Sequence, residues 1–274
     1  MSSEWEVERL DLDAYLKRVG YRGGLRPDKD TLVALHRAHV ASVPFENLDV
    51  VLGRGVSVDL GDVQAKLVGG GRGGYCYEHG VLFAAVLEQL GFRVDRLLAR
   101  IGANGDRPRP RTHMTLHVYA GDDEFLADVG FGAGLLEPLE WRGGGAHRQG
   151  GWTYRLAGGG ETWEVQERQG DDWVVLYSFR QEPQHLSDVV MSNHFTSTHP
   201  SSPFSSQMIV MRKGPQRRLR LLGRRLSVSG SDGSSEEHEL TDDEIALALH
   251  DDFGLFLDAE EIALVVASLP PADG

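Results

Sequence analysis

The stretch 72–91, RGGYCYEHGVLFAAVLEQLG, determines how the first part of this chain folds, because a glycine turn leads directly into a helix. The apolar positions that predict the helix are Phe83, Ala84, Leu87 and Leu90. Gly91 follows the last of them and predicts the end of the helix. Cys76, the only cysteine of the chain, therefore falls in the first turn of this helix.

The position of Cys76 is unusual for a free cysteine, which is most often a small buried apolar residue. The exposed N–H groups at a helix start stabilise an anion and favour the thiolate form of a cysteine. The same N–H groups, including that of Cys76, suit the oxyanion that forms during acyl transfer. The glycines before Cys76 let the backbone approach a substrate closely. We therefore predict that Cys76 is a nucleophile.

Length and composition describe an ordinary globular protein. The 274 residues allow one large domain or two to three small ones, and 41% of them are hydrophobic. No run reaches the roughly 18 apolar residues of a membrane span, and the first ten residues lack the apolar run of a secretory signal. A single cysteine forms no internal disulfide, so we expect a cytoplasmic protein that associates with no membrane.

The net charge of −13 argues against nucleic-acid binding, which requires a basic face. One basic run exists nevertheless, RKGPQRRLRLLGRRL at 212–226. It predicts either a pair of solvated strands or a binding site for a polyanionic cofactor such as a nucleotide phosphate. The run by itself does not decide between these two.

The order of predicted elements indicates an α+β architecture. Helices fill residues 1–91, with Thr31 as the N-cap of the second and a short third helix at 59–67. Short alternating runs between 92 and about 179 predict an antiparallel meander or small barrel. A mixed segment follows from about residue 200, with two strands, a polar linker at 229–237, and helices capped by Thr241 and Asp258.

A predicted hairpin joins THMTLHVY at 112–119 to FLADVGF at 125–131. His113 and His117 share one face of the first strand, and Asp128 lies on the second. A turn centred on Ala120–Gly121 pairs His113 with Asp128, whereas a turn two residues later pairs His117 with Asp128. Either pair supplies the base and orienting carboxylate that a catalytic thiol requires, and the pattern leaves the choice open.

Metal and dinucleotide binding are poorly supported. His36 and His39 are three residues apart on a predicted helix, but no second ligand pair completes a zinc site. Gly130, Gly132 and Gly134 form no dinucleotide fingerprint, because no strand–helix–strand unit follows them. These glycines predict either a backbone nest for a pyrophosphate or a plain tight turn.

Five motifs occur together and in order: VPFENLD at 43–49, RGGYCYE at 72–78, PRTHMTLHV at 110–118, ADVGFG at 127–132 and NHFTSTHPSSPF at 193–204. As a set they resemble the arylamine N-acetyltransferase family, over most of the chain from about residue 10 to beyond residue 210. The resemblance implies a cysteine-protease-like core with the triad Cys76, His113 and Asp128. It also implies a helical bundle at 1–91 carrying Cys76, a β-barrel at 92–200 carrying the other two residues, and an α/β lid at 201–274.

The reaction implied by the resemblance is a ping-pong transfer that belongs to xenobiotic metabolism. Cys76 would take an acetyl group from acetyl-CoA as a thioester and pass it to an arylamine, arylhydroxylamine or hydrazine, with no permanently bound cofactor. Acetyl-CoA would contact Gly130, Gly132 and Gly134. The acceptor would lie beside Phe45, Phe131 and Phe204, each of which is equally acceptable as a core residue. Gly80 stands where family members commonly have asparagine, which puts the fine acceptor preference in doubt.

Three other functions fit the same residues. An amide synthase of this fold would release a carrier-bound polyketide as a macrolactam, using the same cysteine. A hydrolase would result if water reached the acyl-enzyme. A binding module would need the cleft but not the thiol. The expected partners are small molecules, and a homo-oligomer is not excluded by the sequence.

Overall fold

The computed structural model describes residues 4–103, 109–142 and 144–270. Within these ranges the chain forms a helical bundle, an eight-stranded antiparallel sheet that nearly closes into a barrel, and a five-stranded sheet flanked by C-terminal helices. The predicted α+β class is confirmed. The boundaries predicted at residues 91 and 200 remain predictions, and residues 1–3 and 271–274 of the two outer regions lie outside the described residues.

The helices are α1 Leu12–Arg18, α2 Lys29–Ser42, α3 Leu48–Val51, α4 Leu60–Gln64, α5 Cys76–Gln89, α6 Leu186–Thr198, α7 Pro203–Ser206, α8 Asp242–Leu247 and α9 Ala259–Ala267. The strands are β1 Phe45–Glu46, β2 Arg93–Ile101, β3 His113–Ala120, β4 Asp123–Ala127, β5 Leu139–Glu140, β6 His147–Gln149, β7 Trp152–Gly159, β8 Thr162–Gln169, β9 Asp172–Phe179, β10 Ile209–Lys213, β11 Arg217–Leu222, β12 Arg225–Gly230 and β13 Ser235–Glu239. Among the residues described, none of these helices combines the length and apolar character that crossing a bilayer requires.

Aspartate caps fix where the helices of the bundle begin. Asp28 precedes α2 and its carboxylate accepts a hydrogen bond from the Thr31 N–H at 3.0 Å. The prediction of Thr31 as the N-cap is therefore wrong, because the aspartate three residues earlier satisfies that N–H and α2 starts at Lys29. Thr241 and Asp258 cap α8 and α9 as predicted.

Helix α5 lies at the centre of the molecule. Every residue from Cys76 to Leu87 is buried, since the helix is covered by the bundle on one side and by β2 and β3 on the other. A helix that is apolar around its circumference requires such an interior position. Its first residue, Cys76, is thereby placed where the bundle meets the large sheet.

The large sheet has the strand order β5-β4-β3-β2-β9-β8-β7-β6, with every pair antiparallel. In the β3–β4 hairpin the last pair is Ala120 with Asp123, because Gly121 adopts a φ of +65° in a two-residue loop. Leu116 pairs with Ala127 and His117 with Leu126. Both predicted registers are therefore wrong. Asp128 follows the end of β4, and it lies two residues before the position that would be opposite His113.

The smaller sheet has the order β1-β10-β11-β12-β13, so that two residues of the N-terminal region, Phe45 and Glu46, form its first strand. The predicted linker at 229–237 is wrong, because β13 begins at Ser235 and pairs with β12. Helix α6 was not predicted either and lies within the region assigned to the barrel. Its apolar side chains are too weakly segregated to indicate a helix, and it buries Val189, Asn193 and Thr196.

Candidate active site

A cleft of about 820 Å³ opens between the barrel, helices α6 and α7, and the smaller sheet. Cys76 and His113 both line it, one from the start of α5 and the other from the start of β3. The aromatic rings of Phe45, Phe131 and Phe204 line the same cleft. The nucleophile, the base and the acceptor contacts predicted from sequence therefore face one space.

Cys76 occupies the first position of α5 and is 3% exposed. The first bond of the helical ladder runs from the His79 N–H to the Tyr75 carbonyl at 3.1 Å, so the N–H of Cys76 lies before that ladder. The Cys76 Sγ is 3.7 Å from the carbonyl oxygen of Thr112, the residue that leads into β3. The sulfur is held at the cleft wall, within the positive end of the helix.

His113 is the partner of Cys76. Its Nε2 lies 2.7 Å from Asp128 Oδ2, and the Cys76 sulfur is close enough to interact electrostatically with the ring. Burial lowers the pKa of His113, but the Asp128 carboxylate and the Cys76 sulfur outweigh it and raise the pKa to about 10. The site therefore favours a protonated imidazole next to the sulfur.

Asp128 is held from three directions although it follows the end of its strand. Its Oδ1 accepts the Gly130 N–H at 3.0 Å, and its own N–H donates to His36 Nε2 at 3.2 Å. The Tyr177 hydroxyl also acts on the carboxylate and favours its ionised form. Burial acts to raise the pKa of Asp128, but His113 and these donors lower it on balance. The carboxylate therefore remains ionised and oriented towards His113.

Sequence reasoning missed the supporting residues Tyr177 and His36. Tyr177 lies in β9, whose alternating pattern identified a strand but not what its residues contact. His36 was considered only as a zinc ligand, and its ring instead lies between the Asp128 N–H and the Leu136 carbonyl, the latter at 3.1 Å. Within the described ranges, no three of the His, Cys, Asp and Glu side chains are arranged to bind a metal ion.

His117, the alternative base, is engaged elsewhere. Its Nε2 lies 2.9 Å from Glu124 Oε2, and its ring stacks on Trp141 with centroids 3.8 Å apart. Asp128 bonds His113 instead, through a diagonal contact that the observed register permits. The geometry therefore distinguishes the two histidines.

A chain of buried hydrogen bonds supports the glycine turn. His79 Nε2 donates to the Gly74 carbonyl at 3.0 Å, so its Nδ1 accepts from His39 Nε2 at 2.8 Å. His39 Nδ1 then accepts from the Tyr15 hydroxyl at 3.0 Å. Burial lowers the pKa of His79 to about 4 and that of His39 well below its ordinary value, so both rings are neutral. The chain fixes the carbonyl two residues before Cys76.

Buried ion pairs complete this support. Arg72 donates to Glu46 Oε1 at 2.9 Å, and Lys66 bridges Asp49 and Glu78 at 2.7 and 2.8 Å. The other oxygen of Glu78 accepts the N–H of Tyr75 at 3.0 Å. The charged residues of the VPFENLD and RGGYCYE motifs therefore hold the glycine turn against β1 and do not face the cleft.

The predicted cofactor glycines differ in position. Gly130 lines the cleft, and a Cβ there would lie 2.9 Å from the Cys76 Cα, so only glycine fits. Gly132 has a φ of +80° and packs on Phe45, while Gly134 packs on Phe131. Gly80 touches the Met114 side chain, which occupies the space above it.

Enzymes that transfer acyl groups through a cysteine place the thiol beside a histidine–aspartate pair. The structure has this arrangement, with the thiol at a helix start and the pair buried at the cleft. The chain belongs to the arylamine N-acetyltransferase family, and it is a transferase of the acyltransferase class. Residues 28–262 match the family model described as N-acetyltransferase.

Several relatives named arylamine N-acetyltransferase match most of the chain. The Mycolicibacterium smegmatis protein is 39% identical over 83% of this chain and 85% of its own length, and that of Escherichia coli K12 is 33% identical over 94% and 95%. A Salmonella typhimurium relative, 37% identical over 74% and 73%, is named arylamine N-acetyltransferase / N-hydroxyarylamine O-acetyltransferase.

Solved structures agree with this assignment. The enzyme from Mycobacterium abscessus has a TM-score of 0.90 at 35% identity, covering 96% of both chains. The enzyme from Mycobacterium marinum, solved in complex with CoA, has a TM-score of 0.87 at 32% identity, covering 94% of this chain and all of its own.

Proposed function

We propose that this protein transfers an acetyl group from acetyl-CoA, through a thioester on Cys76, to the nitrogen of an arylamine, arylhydroxylamine or hydrazine. Family membership supports the reaction class, and the CoA complex of the Mycobacterium marinum enzyme supports the donor. The observation that carries the proposal is the position of Cys76 and His113 in the lining of one cleft, with His113 hydrogen-bonded to the buried Asp128 behind it.

The first half-reaction begins from the thiolate of Cys76 and the imidazolium of His113. The raised pKa of His113 favours the imidazolium form of its ring. The sulfur attacks the acetyl carbonyl carbon, and the negative charge that develops on its oxygen lies near the positive start of α5. The bond from the carbonyl carbon to the CoA sulfur then breaks, and His113 donates its proton to the departing thiolate.

The second half-reaction uses the neutral His113 that remains. The acceptor nitrogen attacks the Cys76 thioester, and His113 takes the proton that this nitrogen loses. The bond to the Cys76 sulfur breaks, releasing the acetylated amine and restoring the thiolate–imidazolium pair. Asp128 keeps the ring in one orientation and stabilises its charge in both halves.

The cleft also suits an aromatic acceptor. The ring of Phe131 meets His113 edge-on with centroids 5.2 Å apart, and Phe45 and Phe204 lie 5.9 Å from each other. Apolar walls on both sides of the nucleophile favour a flat aromatic substrate. We infer that these three rings contact the acceptor, that Gly130 allows the donor to approach the sulfur, and that the enzyme acts in the cytosol.

The test is product analysis with acetyl-CoA in the presence and absence of an arylamine. We expect N-acetylarylamine to form faster than free acetate. Double-reciprocal plots of initial rate against acetyl-CoA concentration, measured at several arylamine concentrations, should give parallel lines. Cys76→Ala should abolish the product. Acetate release at a rate unaffected by the amine would instead indicate a hydrolase, and activity restricted to a carrier-bound acyl chain would indicate the amide synthase.

A further inference from the structure

One row of side chains crosses the smaller sheet along the floor of the cleft. Cross-strand pairing joins Phe45 to Met211, Met211 to Arg220, Arg220 to Ser227 and Ser227 to Glu237. All five residues line the cleft. The row begins beside the turn that carries Cys76, because Phe45 bridges to Gly74, and it changes from apolar to polar as it moves away. Such a gradient fits an elongated ligand with an apolar reacting end and a polar far end.

The other charged residues near this floor have partners. Arg218 donates to Glu167 at 3.1 Å, and Lys213 donates to the Ala133 carbonyl at 2.9 Å. On the opposite wall, Arg109 donates to a backbone carbonyl at 3.4 Å. Glu237, the carboxylate that ends the row, accepts a hydrogen bond from Ser227 at 3.0 Å. Each of these groups is therefore already engaged in a contact within the fold.

Arg220 differs from them. Its side chain is exposed in the cleft, and across the described ranges no carboxylate lies within 4.0 Å of its guanidinium and no acceptor is hydrogen-bonded to it. A guanidinium that is left without an internal partner in a ligand cleft is suited to bidentate binding of phosphate oxygens.

We propose that Arg220 binds the phosphate attached directly to the pantetheine arm of the acyl donor. The inference rests on the proposed function, since it assumes that the thioester end of the donor lies at Cys76. Strand β10 separates β1 from β11, so roughly 10 Å of sheet lies between Phe45 and Arg220. An extended pantetheine arm is longer than that distance, which leaves length for the part of the arm between Cys76 and Phe45. The basic run at 212–226 thus contributes a phosphate ligand through one residue, while Arg212, Lys213 and Arg218 pair within the fold.

Arg220→Gln tests the proposal, with Arg217→Gln as the matched control. Arg217 is exposed on the same strand, but strand alternation places it on the opposite face, away from the cleft. Both variants remove one positive charge from β11, so any general effect of charge is shared. Binding of CoA is measured by isothermal titration calorimetry, and KM is measured with acetyl-CoA, S-acetyl-4′-phosphopantetheine and S-acetylpantetheine.

We expect Arg220→Gln to raise the Kd for CoA and the KM for the two phosphorylated donors roughly tenfold, as the loss of one charge-assisted contact predicts. The KM for S-acetylpantetheine, which ends before the phosphate, should change less than about twofold. Arg217→Gln should resemble wild type. A raised KM for S-acetyl-4′-phosphopantetheine would also be expected for an acyl donor bound to a carrier protein, because both donors contain this phosphate.

Three results would overturn the assignment. The first is equal behaviour of the two variants, and the second is an equal rise in KM with all three donors. The third is an effect confined to acetyl-CoA, since a phosphate that phosphopantetheine lacks would then be the partner. Failure of the proposed function is distinguishable, because wild-type protein would then gain no acetyl group on Cys76 from any of the donors.

Discussion

Replacing Asp128 by asparagine removes the carboxylate beside His113 and changes the side chain little in size. Asparagine still offers an oxygen to the Gly130 N–H, which Asp128 Oδ1 accepts at 3.0 Å. What is lost is the charge that opposes burial and raises the pKa of His113 to about 10. Burial then dominates, so the pKa of His113 should fall to its ordinary 6.5 or lower.

The size of the effect follows from the pKa values. A fall from about 10 to 6.5 corresponds to about 5 kcal/mol in favour of the neutral ring. At pH 7 the variant would then hold mostly neutral imidazole, and the thiolate–imidazolium pair would be a minor form. We expect acylation of Cys76 to slow by about 10²- to 10⁴-fold, the range found for a positioned acid–base group.

The assay is a rapid-mixing burst with p-nitrophenyl acetate, which reports acylation directly, together with a nuclear magnetic resonance titration of the His113 ring. Asp122→Asn is the control, because Asp122 is an exposed aspartate in the turn of the same hairpin. Circular dichroism establishes that both variants are folded. An Asp128→Asn protein that acylates within about threefold of wild type, and whose His113 still titrates near 10, would refute the reasoning.

Two further predictions follow from the same geometry. Gly130→Ala places a Cβ 2.9 Å from the Cys76 Cα. The free energy of unfolding, measured by thermal denaturation, should therefore fall by about 1–3 kcal/mol, and acylation of Cys76 should slow. Gly24→Ala is the control and should show neither effect, because the space around Gly24 is open. Because the pKa of His113 is raised from 6.5 to about 10 and that of Asp128 is lowered from 3.8, their pair stabilises the fold fully between about pH 4 and pH 6.5, and this contribution is lost as the pH rises through 10. The wild-type advantage over Asp128→Asn in denaturant unfolding should therefore shrink across that range; a constant or growing advantage would contradict the ion pair.

The sequence predicted which candidate residues the structure brings together, because these residues lie in short, local patterns. Cys76 follows the glycine turn and opens α5 within one contiguous stretch, so no tertiary information was needed. His113 and Asp128 belong to one hairpin, and any register near the correct one leaves them within side-chain reach. The register itself was predicted wrongly, since the run AGDD offers several turn positions and Gly121 selects one of them.

Residues brought together by tertiary packing were not predictable in this way. Tyr177 reaches Asp128 from β9, and His36 reaches it from α2, so both contacts depend on how distant elements pack. The strand Ser235–Glu239 has five exposed residues and no apolar alternation, and it exists because β12 offers it an unpaired edge. The strand at Phe45–Glu46 is two residues long, and it joins the smaller sheet through its pairing with β10, which is distant in the sequence.

The most direct test is intact-mass spectrometry of the protein after mixing with acetyl-CoA in the absence of any amine. We expect one acetyl group per chain on the wild type, located at Cys76 by peptide mapping and removed when an arylamine is added. Cys76→Ala should remain unmodified. A folded wild-type protein that gains no acetyl group, or an adduct that persists in Cys76→Ala, would contradict the central role of this cysteine.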